Sequence, residues 1–352
     1  MPHRTGRRGF LRGAAAAGLA AGCRAAAGPF PDRTPPAHVI DTHTHFYDPS
    51  RPQGVPWPPK EDALLYRAVL PRDYRALEMP RPADAAVVVE ASPWVEDNQW
   101  ILDLARDDPF LIGLVGNLPV GTEEFPALLE RFAANPLFLG MRIHEWEWKA
   151  KLGPAASRAH LGRLARLGLA LDLNPAPPRL PEAARLIREV PGLRVVLNHV
   201  ANLRIDGNDP PEAWRKGIAE VAGAGPDVYC KVSGLVEGSG KKDGQAPRAL
   251  DFYRRVLDAV WEAFGDDRVI YGSNWPVCAR AAPAWVTEQL ILDYAAARGP
   301  EALEKVFWKN AMAAYRCRFR AGGPVGRKPG GLDRGVSRIR PATGGALFDC
   351  LH

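Results

Sequence analysis

Short apolar runs that alternate with longer segments of helical periodicity are the feature that most constrains the fold of this chain. Apolar residues recur every three to four positions in the longer segments, which is typical of amphipathic helices. Pro and Gly separate the two kinds of segment, as at Asp108-Pro109. Eight short runs are predicted to be strands, at residues 39–41, 85–90, 111–117, 138–143, 170–173, 194–197, 228–232 and 268–271.

This alternation indicates an α/β protein, and eight strand–helix units are the number in a (β/α)8 TIM barrel. A doubly wound sheet is the alternative, but no Gly-rich phosphate-binding sequence follows any predicted strand. We therefore predict a single barrel over residues 38–317. Its helices are predicted at residues 98–107, 125–134, 157–167, 182–190, 211–222 and 248–264.

The N-terminal end of the chain has the pattern of an export signal. Arg7 and Arg8 precede an Ala/Gly-rich, mildly apolar run that is too short to span a bilayer, as in twin-arginine signals. Residues 1–30 are therefore predicted to be a signal region, and the protein is expected in the periplasm or cell envelope. Two alternatives stay open, cleavage after Ala27 and lipidation at Cys23, of which only the second would attach the protein to a membrane.

The C-terminal end is predicted to be a flexible tail. Residues 318–352 are rich in Gly, Pro and Arg and have no apolar periodicity. Residues 1–33 carry a net charge of +5 and residues 316–352 a net charge of +6, whereas residues 34–315 carry −5. The basic character belongs to the two ends, so charge gives no support for a nucleic-acid partner of the barrel.

Polar and charged residues lie at the carboxyl ends of the predicted strands. His43 and His45 follow the first strand, and side chains two residues apart on an extended chain face the same side. In a barrel all these ends surround one cavity, so a shared site is expected there, although each residue alone has a structural explanation as a cap or ion-pair partner. The other strand-end residues are Glu90, Arg142, His144, Asp172, His199, Lys231, Ser233 and Asn274.

Taken together, these motifs make the chain resemble the amidohydrolase superfamily, and most of all the amidohydrolase-2 branch of L-fuconolactonase-like and 2-pyrone-4,6-dicarboxylate lactonase-like proteins. The resemblance covers about residues 38–317 and implies hydrolysis of a lactone or similar ester by water attacking a polarised carbonyl. Its substrate would be a small molecule. The matching segments are IDTHTHF at 40–46, VEA at 89–91, GMR at 140–142, VLNH at 196–199, VYCKVSG at 228–234, YGSNWP at 271–276 and KVFWKNA at 305–311.

The resemblance also suggests roles for these residues. His43 and His45 either hold one divalent metal, with zinc as the expected ion, or donate to the developing oxyanion in a metal-independent site. His199 polarises the carbonyl or completes a metal shell. Arg142 and Lys231 are suited to bind a carboxylate or a lactone oxygen.

Further substrate contacts are expected from His144 and from tryptophans in the same loops. Trp94 and Trp275 are the predicted substrate-binding tryptophans, because a flat ring stacks on a sugar ring, although packing within the loops explains them equally well. Trp57, Trp146 and Trp148 have the same two explanations.

Asn274 departs from the pattern of the family, which has Asp directly before Trp-Pro. An amide cannot take up a proton, so the expected general base is missing. Glu90 is the predicted replacement, because its strand is expected to lie beside the first. Three functions stay open: an exported lactone hydrolase, a metal-dependent decarboxylase of the same superfamily, and a silenced barrel that only binds a sugar acid.

Overall fold

A computed structural model of the chain describes residues 34–323. Eight parallel strands form one sheet, in which each strand pairs with the next one along the chain. This sequential order confirms the predicted barrel, because a doubly wound sheet would reverse its strand order near the middle. The strands are β1 Ile40–Thr44, β2 Ala85–Val89, β3 Leu111–Gly116, β4 Phe138–His144, β5 Ala170–Asn174, β6 Arg194–Leu197, β7 Val228–Val232 and β8 Val269–Tyr271.

Helices connect the strands, and all six predicted helices are present within a few residues of their expected bounds. No helix among residues 34–323 is long and apolar enough to cross a membrane. The α-helices are α1 Pro71–Arg75, α2 Asp97–Asp107, α3 Phe125–Ala133, α4 Trp148–Leu152, α5 Ser157–Arg166, α6 Leu180–Glu189, α7 Glu212–Gly223, α8 Leu235–Gly238, α9 Asp251–Phe264, α10 Ala284–Arg298, α11 Pro300–Glu304 and α12 Asn310–Tyr315.

Strand β2 shows why these strands are apolar on both faces. All five of its residues are buried. Ala86 and Val88 belong to the apolar layer between sheet and helices, whereas Val87 and Val89 belong to a separate cluster in the barrel interior. Successive side chains of a strand point to opposite faces, so a strand covered on both sides needs a continuous apolar run.

The barrel closes where the two ends of the sheet meet, at the predicted site. The backbone N–H of His45 donates to the carbonyl of Trp275 at 2.9 Å, and that of Asn274 donates to the carbonyl of His43 at 2.9 Å. Strand β1 therefore extends beyond its predicted end at residue 41, and His43 lies within it. The closure fixes the β1 histidines against Asn274 through the backbone.

The opposite end of the barrel is covered by residues that were predicted to be free. The ring of Phe319 packs against His38, with centroids 4.9 Å apart. Arg320 Nη1 donates to the carbonyl of Leu111, at the start of β3, at 3.0 Å. Residue 318 is therefore not the start of a free tail, because a partly buried aromatic ring and an Arg bound to backbone carbonyls fix this segment.

Two predictions fall on parts of the chain for which no structure is described. The signal region predicted at residues 1–30 lies outside the described residues, as does the remainder of the predicted tail, residues 324–352. Both stay predictions from the sequence.

Candidate active site

A cavity of about 500 Å³ opens at the carboxyl end of the barrel. Each of the eight strands, or the loop that follows it, contributes to the lining. The volume lies within the range of about 300–1,000 Å³ that is usual for small-molecule sites. Six of the predicted site residues lie together around it: His45, Glu90, Arg142, His144, His199 and Asn274.

Three histidines form one cluster at the base of this cavity. The ring of His43 lies 5.0 Å from that of His45 and 4.4 Å from that of His199, measured between centroids. His43 is fully buried and lies one layer beneath the lining. His45 and His199 are therefore the two that a ligand in the cavity can contact.

All three imidazoles are neutral at pH 7. Burial, followed by the positive charge of Arg142, lowers the pKa of His45 to about 4. Burial also holds the pKa of His43 and that of His199 well below the usual range, and Lys231 and Arg142 add to the effect. Neutral rings at this depth act as hydrogen-bond donors or acceptors rather than as stored protons.

Glu90 is bound firmly by two neighbours from β4. Arg142 Nε donates to Glu90 Oε1 at 2.8 Å, and its Nη2 donates to the backbone carbonyl of Glu90 at 2.6 Å. His144 Nε2 donates to the same carboxylate oxygen at 2.8 Å, while Asn174 Nδ2 donates to His144 Nδ1 at 3.4 Å. The carboxylate is thus satisfied by protein donors.

These contacts argue against Glu90 as the general base. Burial raises the pKa of Glu90, but the Arg142 guanidinium and the hydrogen bond from His144 outweigh that effect and hold it well below the usual range. A carboxylate with a strongly lowered pKa has little tendency to take a proton from water. The structure therefore favours an electrostatic role for Glu90, in which its carboxylate holds the guanidinium of Arg142 in position.

A strained turn places His199 at the wall of the cavity. Residues 199–202 all have positive φ, from 45° to 58°, which is the left-handed region that L-residues avoid. Gly234 allows the close approach, since a Cβ there would lie 2.8 Å from His199 Nδ1. The ring is held by Ser233 Oγ, 2.8 Å from the same nitrogen. Backbone strain of this kind is often found at functional sites.

Asn274 lies on the floor of the cavity as expected, and it contacts a residue that the sequence did not single out. Its Oδ1 lies 3.2 Å from His45 Nε2, and its Nδ2 donates to Glu237 Oε1 at 2.7 Å. Glu237 lines the cavity, and burial raises its pKa to about 7. It was missed because it lies inside the short helix α8 rather than at a strand end. Its one signal was an acidic residue after the apolar pair Leu235 and Val236.

Two predicted substrate contacts lie beneath the cavity instead of on its wall. Lys231 is fully buried, and its Nζ donates to Asp172 Oδ2 at 3.0 Å and to the carbonyl of Thr42 at 2.9 Å. Trp275 is buried against Tyr74, with ring centroids 5.5 Å apart. This corrects the sequence prediction for both: Lys231 is paired inside the barrel, Trp275 packs in the apolar layer between sheet and helices, and neither lines the cavity.

The tryptophans at the mouth are also different from those predicted. Trp94 is 40% exposed and does not contribute to the cavity wall. Trp57 and Trp146 do line it. Trp146 is 75% exposed and stacks on His144, with centroids 3.9 Å apart and planes 17° from parallel. Its outer face is the flat apolar surface that sugar stacking requires.

The donor set does not fit a tightly held divalent metal. His43 and His45 are neighbours, as a metal pair requires, but within residues 34–323 no three His, Cys, Asp or Glu side chains converge on one point. Arg142 Nη1 lies 3.4 Å from His43 Nε2, so a cation already occupies that side of the ring. This arrangement agrees better with the metal-independent alternative.

An eight-stranded barrel with polar side chains at the carboxyl ends of its strands has the arrangement of a TIM-barrel enzyme. Comparisons with known proteins identify the family. Residues 40–317 match the amidohydrolase family model. The chain is 33% identical over 293 residues to L-fucono-1,5-lactonase of Burkholderia ambifaria, which covers 79% of this chain and 95% of that protein. A second L-fucono-1,5-lactonase, from Burkholderia multivorans, is 28% identical over 79% of this chain and 95% of its own length.

A solved structure gives the same result. An amidohydrolase from Burkholderia multivorans with bound zinc has a TM-score of 0.70 and 25% identity, over 80% of this chain and 100% of that one. The protein belongs to the amidohydrolase family. It is a hydrolase of the amidohydrolase superfamily, built on the barrel described above.

Proposed function

We propose that the protein hydrolyses a small sugar-derived lactone at the mouth of the barrel, by attack of water on the ring carbonyl. The observation that carries this proposal is the composition of the cavity. The Arg142 cation, neutral imidazoles and the carboxylate of Glu237 all line it. Fixed donors in a partly enclosed site stabilise the oxyanion of a tetrahedral intermediate. The 33% identity to an L-fucono-1,5-lactonase supports the same substrate class.

The residues of the cavity divide the work of such a reaction. Arg142 supplies positive charge, and Arg142 and the neutral His199 supply hydrogen bonds to the carbonyl oxygen as it becomes negative. Asn174 and Asn202 supply amide groups for the sugar hydroxyls, and Trp146 offers its face to the sugar ring. The ring C–O bond then breaks, and the product is a hydroxy acid.

A panel of aldonolactones, beginning with L-fucono-1,5-lactone, tests the proposal. Acid release monitored with a pH indicator should exceed spontaneous ring opening for at least one lactone. His199→Ala, purified in parallel, controls for a contaminating hydrolase and should lose most of the activity. A wild-type protein that opens no lactone but binds one tightly would instead favour the silenced sugar-acid-binding barrel.

The metal hypothesis has its own test. We expect metal analysis of the purified protein to show less than one equivalent of zinc, and exhaustive chelation to leave turnover unchanged, because His43 and His45 lack a third ligand among the described residues. Loss of turnover on chelation, with recovery on zinc addition, would restore the metal site and with it the decarboxylase alternative.

We also propose that the protein is exported by the twin-arginine route, on the basis of Arg7 and Arg8 and the apolar run that follows them. Cell fractionation should find the protein in the periplasm or envelope, and replacing both arginines by Lys should retain it in the cytoplasm. Cys23→Ala separates the two maturation routes, because it blocks lipidation and leaves cleavage after Ala27 intact.

A further inference from the structure

Glu237 and Asn274 form a contact that the hydrolysis proposed above leaves without a role. Glu237 Oε1 accepts the 2.7 Å hydrogen bond from Asn274 Nδ2, and Oε2 is buried without a hydrogen-bond partner among the described residues. Asn274 cannot accept a proton at its amide nitrogen, and Glu90 is held by Arg142. We propose that Glu237 is the general base that takes the proton from the attacking water in that lactone hydrolysis, on which this inference rests.

The surroundings of Glu237 are those of an available base. No cation forms an ion pair with it in the part of the chain that the structure describes, and its one side-chain hydrogen bond comes from a neutral amide. A buried carboxylate oxygen with no partner is costly, and water or substrate is the natural partner for it. Glu237 lines the same cavity as Arg142 and His199, so base and oxyanion donors face one ligand volume.

The protonation behaviour of Glu237 agrees with this geometry. Burial raises the pKa of Glu237 to about 7, and the hydrogen bond from Asn274 offsets only part of the effect. The ionisable groups that interact with it are Tyr253 of α9 and the Cys278 thiol, and burial raises the pKa of both, so neither carries charge near pH 7. A base that titrates near the working pH is the most effective.

Asn274 is suited to serve both protonation states of Glu237. His45 Nδ1 donates to the carbonyl of Val89 at 2.9 Å, so in the neutral ring Nε2 carries a lone pair and needs a donor. Turning the Asn274 amide places its NH₂ against His45 and its oxygen against Glu237, where a protonated carboxyl donates to it. The orientation with the NH₂ group against Glu237 therefore matches the charged carboxyl, and the turned orientation matches the neutral carboxyl together with the lone pair of His45 Nε2.

The proton balance of the reaction closes with Glu237 alone. One O–H bond of water breaks, its proton passes to the Glu237 carboxylate, and the water oxygen bonds to the lactone carbonyl carbon. When the ring C–O bond breaks, the proton returns from Glu237 to the departing ring oxygen, which becomes a hydroxyl group. No oxidant, reductant or further reactant is needed.

The decisive test compares Glu237→Gln with a matched change elsewhere. Glu212→Gln is the control, because that side chain is 77% exposed on α7. Glu237→Gln should lower kcat by about 10²- to 10⁴-fold, the usual contribution of a positioned base, with KM little changed. In the wild type, kcat/KM should rise with pH up to about 7 and then level, because Glu237 must be ionised to accept a proton. Glu212→Gln should keep the rate and profile of the wild type.

A second variant keeps the inference falsifiable if Glu237→Gln is unstable. The double variant Glu237→Gln/Asn274→Asp restores a carboxylate at the neighbouring position and should recover part of the lost kcat, with the acid limb shifted to lower pH. An active wild type whose rate survives Glu237→Gln overturns the assignment of Glu237 and leaves the lactonase proposal standing. A wild type that opens no lactone overturns the proposed function, and the inference falls with it.

Discussion

Glu90 and Glu237 line the same cavity, one on the side of β2 and β4 and the other on the side of β7 and β8. Arg142 and His144 donate to Glu90, and their donation holds its pKa well below the usual range. Glu237 is bonded only to the Asn274 amide among side chains of the described residues, and burial raises its pKa. Burial acts on both carboxylates, so the neighbouring cation decides which one stays charged.

This difference separates two tasks that one kind of side chain performs in one site. The Arg142 side supplies fixed charge for binding and for the oxyanion, since its carboxylate stays ionised over the usual pH range. The Glu237 side supplies a group that changes its protonation near neutral pH. Pairs of titratable groups whose surroundings push their pKa values apart are a frequent sign of divided catalytic roles.

The largest expected effect comes from removing the cation that creates the difference. Arg142→Met leaves Glu90 as a buried charge without its partner and should lower the free energy of unfolding by about 3–5 kcal/mol, with loss of turnover. Urea denaturation measures the first effect. Arg131→Met is the matched control, because the pair of Arg131 with Glu96 is exposed and should contribute about 0–1 kcal/mol. Equal losses in the two variants would show that Arg142 does not hold Glu90.

Opposite pH dependences should follow from the two carboxylates. The lowered pKa of Glu90 stabilises the folded state above its ordinary value of 4.5, so the advantage of wild type over Glu90→Gln should shrink as pH falls below it. The raised pKa of Glu237 acts in reverse, so the wild type should lose free energy of unfolding relative to Glu237→Gln as pH rises from 4.5 to about 7.

Urea denaturation of the three proteins from about pH 2 to about pH 8 measures both trends, the Glu90 trend below pH 4.5 and the Glu237 trend above it. Glu288 also has a raised pKa, but it is common to all three proteins and cancels in the differences. If the free energy of unfolding of the wild type changed with pH in the same direction relative to Glu90→Gln and to Glu237→Gln, the contrast between the two carboxylates would be removed.

A glycine pair tests how firmly the β7 side holds His199. Gly234 and Gly192 both have positive φ, so either change to Ala should cost about 1–2 kcal/mol in backbone strain. A Cβ at Gly234 would also press on His199, whereas nothing lies within 4 Å of one at Gly192. Gly234→Ala alone should therefore lower kcat, by about 10- to 100-fold. A similar kcat for both variants would mean that the exact placement of His199 has no bearing on turnover.

The smallest effect concerns substrate binding on the Arg142 side. Trp146→Ala should raise KM about 3- to 10-fold with kcat unchanged, since an aromatic stacking contact contributes about 0.5–1.5 kcal/mol. Trp94→Ala provides the comparison, because Trp94 is exposed but lies off the cavity wall, and it should leave KM unchanged. A larger change in KM for Trp94→Ala would place the sugar ring outside this cavity.

The sequence predicted the barrel and the end at which its site lies. Apolar runs and helical segments alternate along the chain, and this local pattern fixes the spacing of the strands. Because side chains two residues apart on a strand share a face, His43 and His45 could be placed together in advance. The cluster of these two with His199 is confirmed by ring distances of 4.4–5.0 Å. The features that depend on local periodicity could therefore be predicted from the sequence.

The depth at which a polar side chain lies in the barrel and the partner that it takes could not be decided in this way. Lys231 and Trp275 lie at strand ends like the true lining residues, yet Lys231 takes the alternative role of ion-pair partner, with Asp172, and Trp275 packs on Tyr74. The adjacency of β2 and β1 predicts Glu90 as the base, but no pattern in the sequence indicates that Arg142, 52 residues away, binds it. Such contacts depend on how distant segments meet.

The amino-acid sequence by itself thus determined the strands, their burial on both faces and the set of polar groups at the barrel mouth, because these follow from residue type and spacing. Only the tertiary structure decided which carboxylate is neutralised and which is left with a neutral amide. That choice depends on distances of about 3 Å between residues far apart in the chain, such as Glu237 and Asn274, and the energy of a charge changes steeply over such distances.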